Sequence, residues 1–168
     1  MKSKTMAVIC ILFTLMIIAC GSQAVAAQKK TSPSPVQLQE ILLDAKDARV
    51  STLVGVKNED IGLTTTGKAG FLMYGPYVPL AAGSYSVKIY GTVIKEDGNT
   101  DVIVDVSEGG IIIASEKGIT PKKVGTYTQL CDLKFVLKSD VKALEIRVQV
   151  SEKSNIAIRR YEIKSIKR

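Results

Sequence analysis

Histidine and tryptophan are absent from this 168-residue chain, aromatic residues make up only 5% of it, and cysteine occurs three times. Each scarcity excludes something. Without histidine there is no Ser-His-Asp or Cys-His nucleophilic device, and most zinc sites lose their usual nitrogen ligand. A pair of carboxylates can still cut a glycosidic bond, but the acids here scatter over turns and the polar sides of alternating segments, where solvation is the ordinary role. Asp101 and Asp105 share a parity yet lie four residues apart, too far along a strand for a retaining pair. Gly67-Lys68-Ala69-Gly70 reads as a turn, because a phosphate loop needs a strand before it and a helix after it. The inventory predicts a protein that is not an enzyme, with no catalytic residue, no metal ligand set and no cofactor.

What the chain does have begins at its amino end. Lys2 and Lys4 precede an almost unbroken apolar run over residues 6–19. That run falls short of the roughly 20 residues that span a bilayer, and fits the apolar core of a secretory signal peptide. Ile17-Ile18-Ala19-Cys20 resembles the lipobox of bacterial lipoproteins, in which a small residue precedes the cysteine that is lipidated and becomes the new amino terminus. On this reading residues 1–19 are a lipoprotein signal peptide and Cys20 is the lipidation site. The alternative is cleavage near Ala27, which would leave a periplasmic or secreted protein; that site lies far from the apolar run. Several acyl chains anchor a protein stably where one does not. Gly21 stands where an inner-membrane retention signal would place Asp, so the expected location is the cell envelope, at the outer membrane.

Residues 20–36 read as a flexible tether from Cys20, small and polar and partly stiffened by Pro33 and Pro35. Only Cys131 then remains in the folded part, so no internal disulfide is available. It alternates in step with Leu133, Phe135 and Leu137, which predicts a buried small hydrophobe rather than a reactive thiol. With Lys2 and Lys4 removed, 21 basic residues face 16 acids, a mild excess compatible with anionic glycan or lipid head groups. An exported protein has little occasion to meet nucleic acid, so none is expected as a partner.

Residues 37–168 form the predicted domain, and period-two alternation dominates it. Ile41, Leu43 and Ala45 share one side of a first strand, and residues 50–56 make a weaker second. Residues 71–80 are aromatic and broken by Gly75, Pro76 and Pro79. Tyr85, Val87, Ile89 and Val93 point one way; Val102, Val104 and Val106 follow after a turn; Ile111-Ile112-Ile113 comes next. Residues 115–129 look like a crossover loop. Leu144, Ile146, Val148 and Val150 give the clearest strand. Along residues 156–166 the pattern changes phase, which predicts a β-bulge near Arg159-Arg160. Many short strands with no amphipathic helix argue for an all-β fold, an antiparallel β-sandwich.

The stretch over residues 71–87, Phe-Leu-Met-Tyr-Gly-Pro-Tyr-Val-Pro-Leu-Ala-Ala-Gly-Ser-Tyr-Ser-Val, resembles a segment of galactose-binding-like β-sandwich modules that accompany polysaccharide-handling enzymes. Residues 40–48 are similar to the acidic opening strand of carbohydrate-binding modules with that jelly roll, and residues 143–150 with 156–163 to its paired closing strands. The resemblance implies a jelly-roll sandwich and a noncatalytic envelope lipoprotein binding surface or exported polysaccharide. Calcium-containing relatives carry an Asp on the last strand where this chain has Ile158-Arg159-Arg160-Tyr161, so structural calcium is not expected, and Asp44 and Asp47 are read as solvated or hydrogen-bonded.

Sugar rings stack an apolar face on an aromatic. Tyr90, out of phase with its inward neighbours, and Tyr127, placed in the long loop, are the expected platforms. Arg147, Arg159, Arg160 and Lys164 are the expected partners of uronate or phosphate groups. Tyr74, Tyr77, Tyr85 and Tyr161 are expected in the core or at sheet edges with satisfied hydroxyls. A second reading from a different class keeps the fold but makes the domain a protein-interaction or scaffolding subunit of an envelope or polysaccharide-secretion assembly, with no glycan binding of its own.

Overall fold

The computed structural model describes residues 40–95, 99–119 and 123–166; the signal segment, Cys20 and the tether lie outside the described residues. Among the described residues ten strands follow in order: β1 (Glu40–Asp44), β2 (Gly55–Asn58), β3 (Gly62–Thr65), β4 (Gly70–Leu80), β5 (Gly83–Val93), β6 (Ile103–Glu108), β7 (Ile111–Lys117), β8 (Tyr127–Leu137), β9 (Val141–Val150) and β10 (Ile156–Ser165). A 3-10 turn, Asn99–Asp101, precedes β6. All pairings are antiparallel.

Two sheets result. The six-stranded sheet runs β2-β3-β10-β5-β8, with β1 also paired to β10, and the four-stranded sheet runs β4-β9-β6-β7. The chain changes sheet at most connections from β3 onward, which is jelly-roll wiring. Period two explains the layers: every second side chain of each strand enters the space between the sheets. From the six-stranded sheet come Leu43, Val87, Ile89, Leu133, Phe135, Tyr161 and Ile163; from the other, Leu72, Val104, Val106, Leu144, Ile146 and Val148, all buried. Each such side chain contributes about 1.5–3 kcal/mol by leaving water.

The predicted bulge is present, and pairing explains it. Along one edge β10 pairs with β3 through Ala157 and Ile158, then with β1 from Arg160 onward. The register with β5 on the other edge shifts between Ile158 and Arg160. The Arg159 carbonyl, at the change of neighbour, accepts the Ala45 N–H at 2.8 Å. Close backbone approach also fixes this junction, since a Cβ on Gly91 would strike the Ala157 carbonyl oxygen.

Several segments differ from expectation. Residues 50–54 are not a strand; Ser51 bridges Tyr74, so this piece lies along the free edge of β4, and the regular strand begins only at Gly55. The short β3 had no alternation long enough to announce it. Residues 71–80 are one continuous strand rather than a broken stretch, because register shifts on either side of Pro76 absorb the prolines on a sheet edge. Asp101 sits in the 3-10 turn and not on β6, and Tyr127 opens β8 rather than lying in the loop. Cys131 is buried as expected, its thiol donating to Glu116 Oε2 at 3.4 Å.

Candidate functional site

Side chains that do not enter the core form the two outer faces, and the register places them in rows. Across the four-stranded sheet, Tyr74 of β4 lies opposite Arg147 of β9, which lies opposite Asp105 of β6. The neighbouring row holds Pro76, Glu145 and Ser107, and the next holds Phe71, Gln149 and Ile103. An aromatic edge therefore borders a polar centre.

Tyr77 follows Pro76 on β4 and is 51% exposed. Its φ is 61°, the left-handed region that a residue with a Cβ adopts at a cost of about 1–2 kcal/mol. Gly75, at φ 119°, passes so close to the Arg49 carbonyl oxygen that a Cβ there would collide with it. This conformation turns Tyr77 out of the strand. Its hydroxyl then donates to Glu145 Oε1 at 2.8 Å, while Ser107 Oγ donates to Glu145 Oε2 at 3.3 Å. Partial burial, then the bond to Glu145, pushes the Tyr77 phenol up to about 12, so it stays a neutral donor.

Arg147 ties the next row together. Its Nε donates to Asp105 Oδ1 at 2.6 Å, and its guanidinium lies 5.4 Å from the Phe71 ring centroid. Phe71 meets Tyr74 edge-to-face with centroids 6.5 Å apart. The hydrogen bond to Asp105 outweighs burial and raises the Arg147 pKa, which fixes the charge. Asp105, expected on a solvated face, is only 3% exposed because the arginine lies over it. Tyrosine hydroxyl, carboxylate and guanidinium all remain within reach of solvent beside an exposed ring. Such a face can stack the apolar side of a ligand and bond its hydroxyls.

The six-stranded sheet carries the other expected residues. Tyr90 lies across from Arg160, whose guanidinium sits 4.7 Å from its ring centroid; Tyr127 stacks near-parallel to Tyr90 at 6.4 Å and 25°. Tyr90 is therefore half-buried, with its ring sandwiched and its hydroxyl directed to Glu162 at 3.3 Å, rather than an open platform. Lys164 pairs with Glu162 at 3.0 Å and with Glu40 at 3.1 Å, and Arg160 reaches Glu162 at 3.6 Å. Burial pushes the Glu162 carboxyl up, but the bond to Lys164, reinforced by Tyr90 and Arg160, outweighs it and leaves the pKa below the ordinary value. Tyr90, Tyr127, Arg159, Arg160 and Lys164 thus gather on one face, while Arg147 stands on the opposite one.

Tyr85 donates to the Ala81 carbonyl at 2.8 Å and packs in the core as expected. Tyr161 is fully buried, but its hydroxyl has no hydrogen-bond partner among the described residues. Tyr77 lies at a sheet edge with a satisfied hydroxyl, as expected, but sequence reasoning did not single out its outward, left-handed conformation. The signal that could have found it is its position directly after Gly-Pro within an otherwise extended run. Asp44 accepts the Lys46 N–H, and Asp47 is held at about 2 by hydrogen bonds from the Arg49 side chain and backbone.

No protein-family model matches the chain, and no curated protein matches it in sequence. Among solved structures it is similar to the C-terminal CBM6 of LamC, a marine laminarinase from Zobellia galactanivorans, at 8% identity and TM-score 0.51, covering 75% of this chain and 99% of that one. The carbohydrate-binding module CBM6cm-2 from Cellvibrio mixtus lichenase 5A, solved in complex with cellotriose, aligns at 13% identity and TM-score 0.48 over 76% of this chain and 98% of that module. The first likeness shows the fold: an antiparallel β-sandwich of the kind expected from the alternation.

Proposed function

We propose that this β-sandwich is a noncatalytic carbohydrate-binding module, and that it binds through the outer face of its four-stranded sheet. The observation that carries the reading is Tyr77, held outward in a left-handed conformation and braced by Glu145. Backbone strain of this kind persists where the surroundings over-determine it, and it concentrates at binding sites. Phe71 and Tyr74 extend the aromatic edge, while Glu145 and Arg147 supply an acceptor and a donor for hydroxyl groups, held in place from beneath by the buried Ser107 and Asp105. The central charges are one guanidinium and two carboxylates, so the face suits a neutral polysaccharide better than a polyanion. The solved carbohydrate-binding modules that share this architecture are consistent with it.

The same proposal places the module outside the cytoplasm, anchored through lipid on Cys20 at the cell envelope, with residues 20–36 as its tether. Metabolic labelling with a fatty-acid probe checks this: label should enter the wild-type chain and not Cys20→Ser. A scaffolding role keeps one specific support, the exposed Ile111 and Ile112 on edge strand β7, which a protein partner could cover. Titration of the full-length protein in detergent with soluble neutral glycans separates the two. Tyr77→Ala should weaken binding by about 30-fold, the loss expected of a central aromatic anchor. Failure of every neutral glycan to bind, or an unchanged affinity in Tyr77→Ala, would overturn the carbohydrate reading at this face.

A further inference from the structure

The opposite face holds a cation that its surroundings do not neutralise. Lys164 and Arg160 share Glu162, Lys88 faces Asp132, and Lys46 pairs with Glu59. Arg159 has no acidic partner within ion-pair distance among the described residues. It occupies the bulge of β10, and a bulge re-aims the side chain it carries. The carbonyl bond to Ala45 pins its backbone, and the side chain is exposed. Its guanidinium lies 6.0 Å from the ring centroid of Tyr127. That ring keeps 44% exposure at the start of edge strand β8 and is backed by Tyr90, which Arg160 in turn supports. A planar cation with no acidic partner among the described residues thus lies over an aromatic ring that Tyr90 backs and that stays partly exposed.

We infer that Arg159 and Tyr127 form a second saccharide subsite, selective for a carboxylate-bearing sugar such as a uronic acid residue. Two features of that ligand match two features of the site. Its ring offers an apolar side to Tyr127. Its carboxylate is planar and takes two parallel N–H bonds from a guanidinium, a geometry that a lysine ammonium does not reproduce. A neutral sugar would gain only the stacking half. The Glu162 and Glu40 carboxylates are occupied by Arg160 and Lys164, so neither competes for Arg159. The subsite lies on the face opposite Tyr77 and goes beyond the neutral-glycan reading, so one domain could hold two chemically distinct polysaccharides at once.

Calorimetric titration of the full-length protein in detergent with a galacturonic acid trisaccharide tests the assignment. Saturable binding is expected, weakening as NaCl is raised from about 0.1 M to about 1 M because the pair is solvent-exposed. Arg159→Ala should lower this affinity by about tenfold or more, the worth of a charge-assisted hydrogen-bond pair. Arg159→Lys should restore only part of it, and Tyr77→Ala should leave the uronate titration where it was. Both Arg159 variants alter an exposed side chain, and an unchanged melting temperature will confirm their folding. The inference is overturned if the trisaccharide does not bind, if a neutral galactose trisaccharide binds equally well, or if Arg159→Ala binds like wild type. A loss of uronate binding in Tyr77→Ala would overturn it too, by merging the two sites. Failure of neutral glycans alone would count against the Tyr77 face and not against this one.

Discussion

The two outer faces of this sandwich are built from similar residues and reach opposite results. On the six-stranded sheet, acids and bases alternate across neighbouring strands, so Glu40, Lys164, Glu162 and Arg160 close on one another and Tyr90 fills the gap between an arginine and a second tyrosine. Most of the charge and ring surface is consumed internally; among the described residues, Arg159 at the bulge and Lys134 on edge strand β8 form no ion pair. On the four-stranded sheet the aromatics line one edge strand and the polar groups lie beside them, so Tyr77 stays open and Glu145 serves as its brace. A list of tyrosines and arginines does not make a binding face. Whether each partner is already spoken for does.

Substitutions at three positions sharpen that contrast. The largest effect belongs to Arg147→Leu. It leaves Asp105, 3% exposed, without its cation, and removing one partner of a buried pair costs about 3–5 kcal/mol, read as a drop in urea-unfolding free energy. A variant as stable as wild type would show that the polar centre of this face is solvated, like an ordinary surface.

A smaller effect separates strain from contact at Tyr77. Tyr77→Gly and Tyr77→Ala both remove the ring, but only glycine accepts φ of 61° freely, so the glycine variant should be more stable than the alanine one by about 1 kcal/mol. Equal stabilities would mean that the backbone relaxes once the side chain is gone.

The smallest effect is expected on the charged lattice. At neutral pH, Lys164→Ala should lower the melting temperature only slightly, by a small but measurable amount, since exposed ion pairs contribute little. The sign of its pH dependence is still definite. Glu162 has a folded pKa below the ordinary glutamate value, so its contribution is present above that value, about 4.3, and is lost as pH falls through the lower, folded one. Melting curves of wild type and Lys164→Ala should therefore converge with acidification below about pH 4. Divergence there would place the shift on another carboxylate.

Much of the fold was legible because strand alternation is a local property. Leu144, Ile146, Val148 and Val150 were assigned inward from parity alone, and the phase change at Arg159-Arg160 announced the bulge. Cys131 followed from its spacing with Leu133. Less was legible where local signals conflict: Pro76 and Pro79 masked a continuous β4, and four residues of β3 are too few to show a period. The site was legible in residue types but not in grouping. Residue type groups Arg147 with Arg159 and Lys164, yet it lies on the other sheet. Parity puts Asp105 on a solvated face, but Arg147 covers it, and the sheet-edge position of Tyr77 does not reveal that its ring turns outward.

By itself, then, the sequence determined which side chains face inward and which chemistry is missing, because both depend on residue identity and on neighbours one or two positions away. Tertiary structure alone decided which strands lie side by side. That pairing joins residues as much as about 120 positions apart, as with Glu40 and Lys164, and so settled that Tyr77 meets Glu145 while Tyr90 meets Arg160. Spacing along a chain carries no measure of distance across a sheet, which is why the make-up of each outer face follows only from three dimensions.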